Sequence, residues 1–551
     1  MAIKNISTGT MPEPGEPSPT PSAARSVLAN WLWYLLVLAS GFVLPRLFAR
    51  HLGAELLGVW DLGWSFVFYV RWLNLGITAS ANRYVARYRS LCDWPALNAS
   101  ASTGLLLLSV ACGLGLLLAM GLSRGVAYLL PGAAPEVVRA AGLVVMLLSI
   151  SAALQLPGGL FNAIITGYER FDVLNVIRVA RDAAVMLAII VLLYAGHGIV
   201  AAAGVVLIGE ILADCAKVLV ARRLCPQLRV SPARCRRAVA RELVVYGGKT
   251  VAQGMARGSL YQLNNILVAW FLGPVAVAVY SRQRALVVHT LRFMKQYAQV
   301  FIPKSSALDA GGDTEALRRL LIVSTRYGLY VTLPVVLLLV FMGGPLLDVW
   351  MGAGFEAPIV LAILAVGHLA FIPQQSVYSI LLGMNRHGRV AVYDFGALVA
   401  SVGLGWFLMG PMGLGMSGAA VAVAVPMAVS GGILMPAYAY RRLGLRPAAT
   451  IARIIPGPLL ASLPWAACLL LARLILAQRP IESLVWGVGA GAPLSAFVYW
   501  RWVLPADLRR RTRRAAASAV HVLLPGGGVA RRSSAAGPDT SGGEPSCESA
   551  G

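Results

Sequence analysis

Apolar residues run along almost the whole chain in blocks of twenty or more, divided by short polar or basic stretches. A helix that crosses a bilayer needs about 20 mainly apolar residues. Fourteen stretches reach that length: 27–47, 56–75, 101–122, 137–156, 173–195, 198–220, 243–272, 275–301, 320–346, 357–382, 390–409, 413–438, 454–476 and 481–504. The pattern predicts an all-α polytopic membrane protein of about fourteen transmembrane helices. The second stretch is the weakest, because it contains Asp61 and Arg71.

Two consecutive spans depart from the apolar rule in the same way. Residues 279–300 read VYSRQRALVVHTLRFMKQYAQV and carry Arg282, Arg284, Arg292 and Lys295 but no acid. At about 100° per residue, Arg284, Arg292, Lys295 and Gln299 fall on one side, with Leu286, Phe293, Met294 and Phe301 opposite. In the preceding span Lys249, Gln253, Arg257 and Asn264 share a side in the same manner. Lysines and arginines near span ends can snorkel to the interface, a reading open to Lys295 and Arg282. It fits Arg257 and Arg284 poorly, since both lie more than a turn from any end. An arginine at the bilayer centre costs roughly 2.5–3.5 kcal/mol, so these stripes are expected to face a water-filled interior. A cavity lined by arginine and lysine attracts anions, and the planar guanidinium suits phosphate oxygens. The membrane acids are Asp61, Glu210, Asp214 and Asp394. They read either as ion-pair partners of those cations or as coupling-ion sites.

Composition sharpens the picture. Of 551 residues 58% are hydrophobic and 13% charged, with a mean hydropathy of +0.72; soluble domains are about 25% charged. The net charge of +24 raises nucleic acid as a partner, but the placement of the cations removes it. If the N-terminus is inside, the outer loops hold only Arg46, Arg50, Arg124, Arg139 and Arg479, and most other cations fall in inner segments. That asymmetry predicts both termini in the cytoplasm. It makes ARRLCPQLRVSPARCRRAVARE (221–242) a basic cytoplasmic linker facing anionic lipids. The seven cysteines form no CxxC pair and no metal-spaced cluster, so they read as reduced or buried, with no cofactor and no metal. Residues 1–26 and 506–551 have the low-complexity composition of disordered tails; the second is basic at its start. A membrane glycosyltransferase or polymerase would carry acidic catalytic residues in a sizeable outer loop. The longest outer loops here, 123–136 and 347–356, hold only Glu136, Asp348 and Glu356, so no catalytic residue is expected.

There is also an internal echo. HLGAELLGVW (51–60) parallels FLGPVAVAVY (271–280), Arg71 parallels Arg292 at nearly the same offset, and GHGIVAAAG (196–204) parallels GPMGLGMSGAA (410–420). The order suggests two pseudo-repeated six-helix lobes, 27–220 and 243–440, joined by the 221–242 linker and followed by two extra helices in 441–505. Transporters place substrate between such halves.

The stretches ARHLGAELLGVWDL, YVRWLNLGITASANRYVARYR, YGGKTVAQ, NNILVAWFLGPVAVAVYSRQRAL, LLGMNRHGR and GPMGLGMSGAA resemble the polysaccharide-flippase branch of the multidrug/oligosaccharidyl-lipid/polysaccharide exporters. The resemblance covers about 25 to 505. It implies a two-lobed bundle in the bacterial inner membrane that opens alternately to each side. Its substrate would be an undecaprenyl-pyrophosphate-linked glycan for O-antigen, capsule or exopolysaccharide assembly, with polymerase and glycosyltransferases of the pathway as partners. Lipid II flippases of the family line their cavity with arginines in helices 1, 2 and 8. Counting back from Pro303, Arg284 falls on the helix-8 arginine, and Arg71 falls on or beside the helix-2 one. The helix-1 positions do not carry over, because this chain reads VLASGFVL there and Arg46 and Arg50 lie nearer the outer end. The expected substrate-binding set is Arg71, Lys249, Arg257, Arg284, Arg292 and Lys295, with Asp61, Asp214 and Asp394 as coupling or ion-pair acids. A multidrug exporter of the same fold is the alternative; it would want an acidic cavity for organic cations.

Overall fold

The computed structural model describes residues 21–503 and Arg509, with side chains from Leu32 onward except those of 246 and 249–253. Among the described residues the chain is helical throughout. The helices are α1 (Pro21–Trp72), α2 (Ile77–Ser90), α3 (Trp94–Leu129), α4 (Pro135–Gly167), α5 (Phe171–Tyr194), α6 (Ile199–Leu224), α7 (Arg237–Gln299), α8 (Phe301–Ala310) and α9 (Thr314–Met351). They continue with α10 (Pro358–Phe371), α11 (Gln375–Gly383), α12 (Gly388–Met409), α13 (Gly415–Met427), α14 (Met435–Leu443), α15 (Pro447–Ile454), α16 (Pro456–Ile475) and α17 (Pro480–Val498). The expected tails lie outside the described residues, except that α1 already begins at Pro21. Proline suits the first helical position and Ala-Ala-Arg propagates the helix well.

Eleven helical stretches are long and apolar enough to cross a membrane, which makes this a multi-pass membrane protein. Two of the eleven contain a break. Within α1, Gly53 has φ 84° and ψ 169°; within α7, Gly273 has φ 80° and ψ 177°. This region is open to glycine almost alone. The two breaks are the equivalent glycines of HLGAELLGVW and FLGPVAVAVY, and each falls where the sequence pattern ends one apolar block and begins the next. Pro274, directly after the second break, starts the new helix with its fixed φ. α5 is 24 residues long but carries Asp172, Arg178, Arg181 and Asp182, which dilutes its apolar character.

Contacts group the chain into two units. The first holds the chain up to Gly53, Val70–Arg124 and Gly142–Gly248; the second holds Ala54–Tyr69, Gly125–Ala141 and the chain from Lys249 on. In the first, α2 is a short amphipathic helix that the apolar-block pattern does not reveal. Ile77, Ala81 and Val85, one turn apart, enter a core with Leu97, Leu108, Leu160 and Ile164 from α3 and α4. In the second unit Trp465 and Leu469 of α16 bury against Met342 of α9. The Trp465 indole N–H donates to the Pro334 carbonyl at 2.8 Å, and the Tyr499 hydroxyl donates to the Tyr330 carbonyl at 2.5 Å. The last two long helices are thereby tied to α9 by hydrogen bonds that satisfy buried polar groups in an apolar surround. A π-helical turn, Ala428–Leu434, joins α13 to α14; such turns bulge the backbone and re-aim side chains.

Candidate functional site

In the second unit the three consecutive residues Arg282–Arg284 of α7 send their polar groups to different neighbours. Arg282 Nη2 donates to both carboxylate oxygens of Asp61 at 2.5 Å, and the two side chains are 7% and 14% exposed. Gln283 Nε2 donates to the Phe355 carbonyl at 2.6 Å. Arg284, one residue on, makes no salt bridge among the described residues. Its Nη1 donates to the Tyr261 carbonyl at 3.2 Å, and its guanidinium lies 5.7 Å from the Tyr261 ring centre. Tyr261 is itself fixed, since its hydroxyl and His368 Nε2 are 2.8 Å apart while His368 Nδ1 is 2.7 Å from the Leu364 carbonyl. That pattern puts the His368 proton on Nδ1 and has the tyrosine donate to Nε2.

About one turn before Tyr261, the first half of α7 presents a second cation. Arg257 Nε donates to Asp394 Oδ2 of α12 at 2.7 Å, and the guanidinium sits over the rings of Tyr378 at 4.6 Å and Phe371 at 5.3 Å. Asp394 is 4% exposed, and its other oxygen accepts from Ser430 in the π-helical turn at 3.3 Å. One neutral donor and a cation around the carboxylate offset the cost of burying it in an apolar surround. Arg292 and Lys295 are exposed. Lys295 lies close enough to Arg257 and Asp394 to act on both electrostatically. The side chain of Lys249 lies outside the described residues.

In the first unit the charges form one network. Arg181 of α5 pairs with Glu210 of α6 and, at 2.6 Å, with Asp182. Lys217 pairs with Asp214 at 2.8 Å and approaches Glu210 at 3.5 Å. The Trp33 indole N–H donates to Asp182 at 2.8 Å. The Asp214 carboxylate occupies the space that a side chain on Gly158 of α4 would fill. Beside the network lies a cavity of about 240 Å³ lined by Trp33, Arg71, Asn162, Arg178, Arg181 and Lys217, among others. Arg178 makes no salt bridge among the described residues. Of the cavity's four cations only Arg71 is in the expected binding set. Arg178 and Arg181 lie inside a predicted span, three residues apart on one helical face; that spacing is the signal that could have found them.

The arrangement can hold an anion at cationic side chains inside membrane helices, and among the described residues no group of acids, histidines and cysteines could hold a metal. A family profile described as polysaccharide biosynthesis protein matches residues 107–360. A candidate O-antigen transporter of Shigella flexneri is 22% identical over 405 residues, covering 71% of this chain and 92% of that protein. The profile spans a little under half of this chain, which over that stretch is similar to polysaccharide biosynthesis proteins. Two solved structures share its fold. The lipid II flippase MurJ in an inward closed conformation superposes with a TM-score of 0.67 at 13% identity, covering 87% of this chain and 99% of that one. An inward-facing multidrug resistance transporter of the MATE family superposes with 0.65 at 14%, covering 77% and 98%. The relatives named are two transporters and a flippase, and this chain, like them, is a multi-pass membrane protein.

Proposed function

We propose that this protein is a flippase that moves an undecaprenyl-pyrophosphate-linked oligosaccharide from the cytoplasmic to the outer leaflet by alternating access, for O-antigen, capsule or exopolysaccharide assembly. One observation carries the reading. Within the second unit Arg282 and Arg257 each hold an aspartate in contact, whereas Arg284 contacts a carbonyl and a ring, makes no salt bridge among the described residues, and feels Asp61 only from beyond contact distance. A membrane cation with no counter-charge in contact is suited to an anionic ligand, and a guanidinium fork matches a pyrophosphate. Arg71 and Arg178 line the first unit's cavity and add cationic side chains there. Arg292 and Lys295 extend the cationic side of α7, and Arg257 would join by exchanging Asp394 for phosphate oxygens; Lys249 belongs to the same stripe. Fourteen crossings with both termini inside fit the reading, because the breaks at Gly53 and Gly273 divide two long stretches and α5 is long enough to span.

The test is complementation of a strain that lacks its own polysaccharide flippase. Surface glycan, scored by immunoblot, should return with the wild-type chain and stay absent with Arg284→Ala, while lipid-linked glycan accumulates and the protein level in the membrane holds. Normal export by Arg284→Ala would overturn the proposal at its centre. The fold likeness to a multidrug transporter favours drug efflux as the rival reading; resistance conferred on a drug-hypersensitive strain would support that one.

A further inference from the structure

The basic linker is not a free tether. Asn98, in the second turn of α3 and only 5% exposed, grips it at two points: its Nδ2 donates to the Gln227 carbonyl at 3.0 Å and its Oδ1 accepts from Arg229 N–H at 2.7 Å. About one turn further along α3, Ser102 Oγ accepts from Ser231 N–H and Thr103 Oγ1 accepts from Arg236 N–H, each at 3.1 Å. Leu228 packs into the first unit's core, and Pro232–Arg234 forms a 3₁₀ turn. The backbone of 227–236 is thus pinned along one side of α3.

The pinned loop and the start of α3 enclose a pocket of about 490 Å³ whose lining includes Trp94, Asn98, Arg229, Arg234 and Arg236 and no acidic residue. Arg234 Nη1 is spent on the Arg229 carbonyl at 3.0 Å, which draws the two residues together. None of the three arginines makes a salt bridge among the described residues. The nearby acid, Asp93, is committed to capping α3, where it accepts from Ala96 N–H at 2.9 Å. The backbone bonds of Arg229 and Arg236 and the side-chain bond of Arg234 gather three exposed cations at one pocket, where they repel one another less when an anion sits among them.

The pocket's height in the chain says which anion. It lies where one long apolar helix begins, at Trp94, and another ends, at Leu224. Phospholipid headgroups occupy that level, and tryptophan favours it. We propose that this pocket is a docking site for the headgroup phosphodiester of an anionic phospholipid, which fixes the linker to the bilayer surface. The occupant is a lipid rather than a soluble phosphate because Trp94 offers an apolar wall beside the three cations.

Native mass spectrometry of the full-length protein, titrated in detergent with phosphatidylglycerol, phosphatidylcholine or inorganic pyrophosphate, tests this. Phosphatidylglycerol should bind in preference to phosphatidylcholine. Arg229→Gln/Arg236→Gln should weaken it about thirtyfold, at roughly fivefold per arginine near an anionic surface. Lys304→Gln/Arg386→Gln, the same loss of charge at exposed positions elsewhere, should leave it within twofold. Asn98→Ala removes no charge but frees the loop, so a variant that keeps its thermal midpoint should lose the lipid as the double arginine variant does. Equal loss in the Lys304/Arg386 control, or full binding by folded Asn98→Ala, would make the effect one of diffuse charge and overturn the pocket. Displacement of the lipid by pyrophosphate at equal concentration would overturn the choice of a lipid occupant.

Discussion

Neutralising Asp61 and neutralising Arg284 should have opposite signatures, although the two groups belong to one cluster. Asp61→Asn leaves Arg282, 7% exposed, without its only carboxylate. Removing one partner of a buried pair costs about 3–5 kcal/mol, because the remaining charge stays desolvated and unpaired. Here Arg284 adds like-charge repulsion from two residues away. Replacing both members, Asp61→Asn with Arg282→Met, removes the stranded charge and should recover most of that loss. Arg284→Gln gives up a single hydrogen bond to a carbonyl and a distant ring contact, together about 1–2 kcal/mol, and it relieves the repulsion with Arg282. Its net effect on stability is expected to be small.

Cys112 and Cys225 are buried free thiols, so their reaction with a thiol dye during heating reports unfolding of the first unit, and an intrinsic fluorescence melt covers the rest. Asp61→Asn should lower the melt by several degrees and reduce the amount of protein in the membrane, the double variant should sit near wild type, and Arg284→Gln should melt normally yet fail in glycan export. The reasoning fails if Arg284→Gln destabilises as much as Asp61→Asn. It also fails if Asp61→Asn melts like wild type, since the pair would then carry no structural weight.

Arg257 and Asp394 form a second such pair, and Asp394→Asn should cost about 3–5 kcal/mol of stability, read by the same melt. Gly58→Ala pushes a methyl into the backbone carbonyl of Pro274 and should cost about 1–3 kcal/mol by overpacking, whereas Gly113→Ala meets nothing within 4 Å and should be neutral or stabilising by up to about 1 kcal/mol. Gly53→Ala has open space around it but a φ of 84°, so strain alone should cost about 1–3 kcal/mol; equal stability of Gly53→Ala and Gly113→Ala would contradict that. Arg178→Gln, which breaks no salt bridge, should reduce glycan export at an unchanged thermal midpoint.

Much of the fold is legible in the sequence because hydrophobic length is a local property. The blocks ending at Leu47 and Leu272 stop within a few residues of Gly53 and Gly273, and the echo between HLGAELLGVW and FLGPVAVAVY reappears as one backbone conformation used twice. What local patterns hide is shorter or distant. α2 is 14 residues of mixed polarity whose apolar stripe shows only against α3 and α4. The π-helical turn that brings Ser430 to Asp394 leaves no periodic mark. The ion pairs are hidden for a further reason: Asp61 and Arg282 are 221 residues apart and Arg257 and Asp394 are 137 apart, so no spacing rule matches an acid to its cation. Arg178 and Arg181 stand near Asp182 in the sequence, which does not say which of them it pairs with; in the fold Asp182 pairs with Arg181, and Arg178 lines the cavity.

That pairing changes how the cations of α7 are ranked. Depth in the helix alone would make Arg282 and Arg284 equivalent, since neighbours in sequence sit at nearly the same height. Rotation separates them: two residues turn the helix by about 200°, which carries Arg282 to Asp61 and Arg284 to the backbone of Tyr261. A pair whose charges cancel leaves little field to attract an anion, whereas a cation balanced only by a carbonyl dipole keeps most of its own. Arg257 falls between the two, because Asp394 holds it through one nitrogen while Nη2 is buried without a partner. An anion that reached Nη2 would compete with Asp394 rather than fill an open place. Substrate would therefore bind at Arg284 without breaking a native contact and at Arg257 only by breaking one. Such an order of engagement can couple binding to rearrangement of α12, and it predicts that Asp394→Asn raises apparent affinity for a pyrophosphate-bearing lipid in direct binding assays even as it lowers the thermal midpoint. Weaker binding together with lower stability would place Asp394 among the groups that merely support the fold.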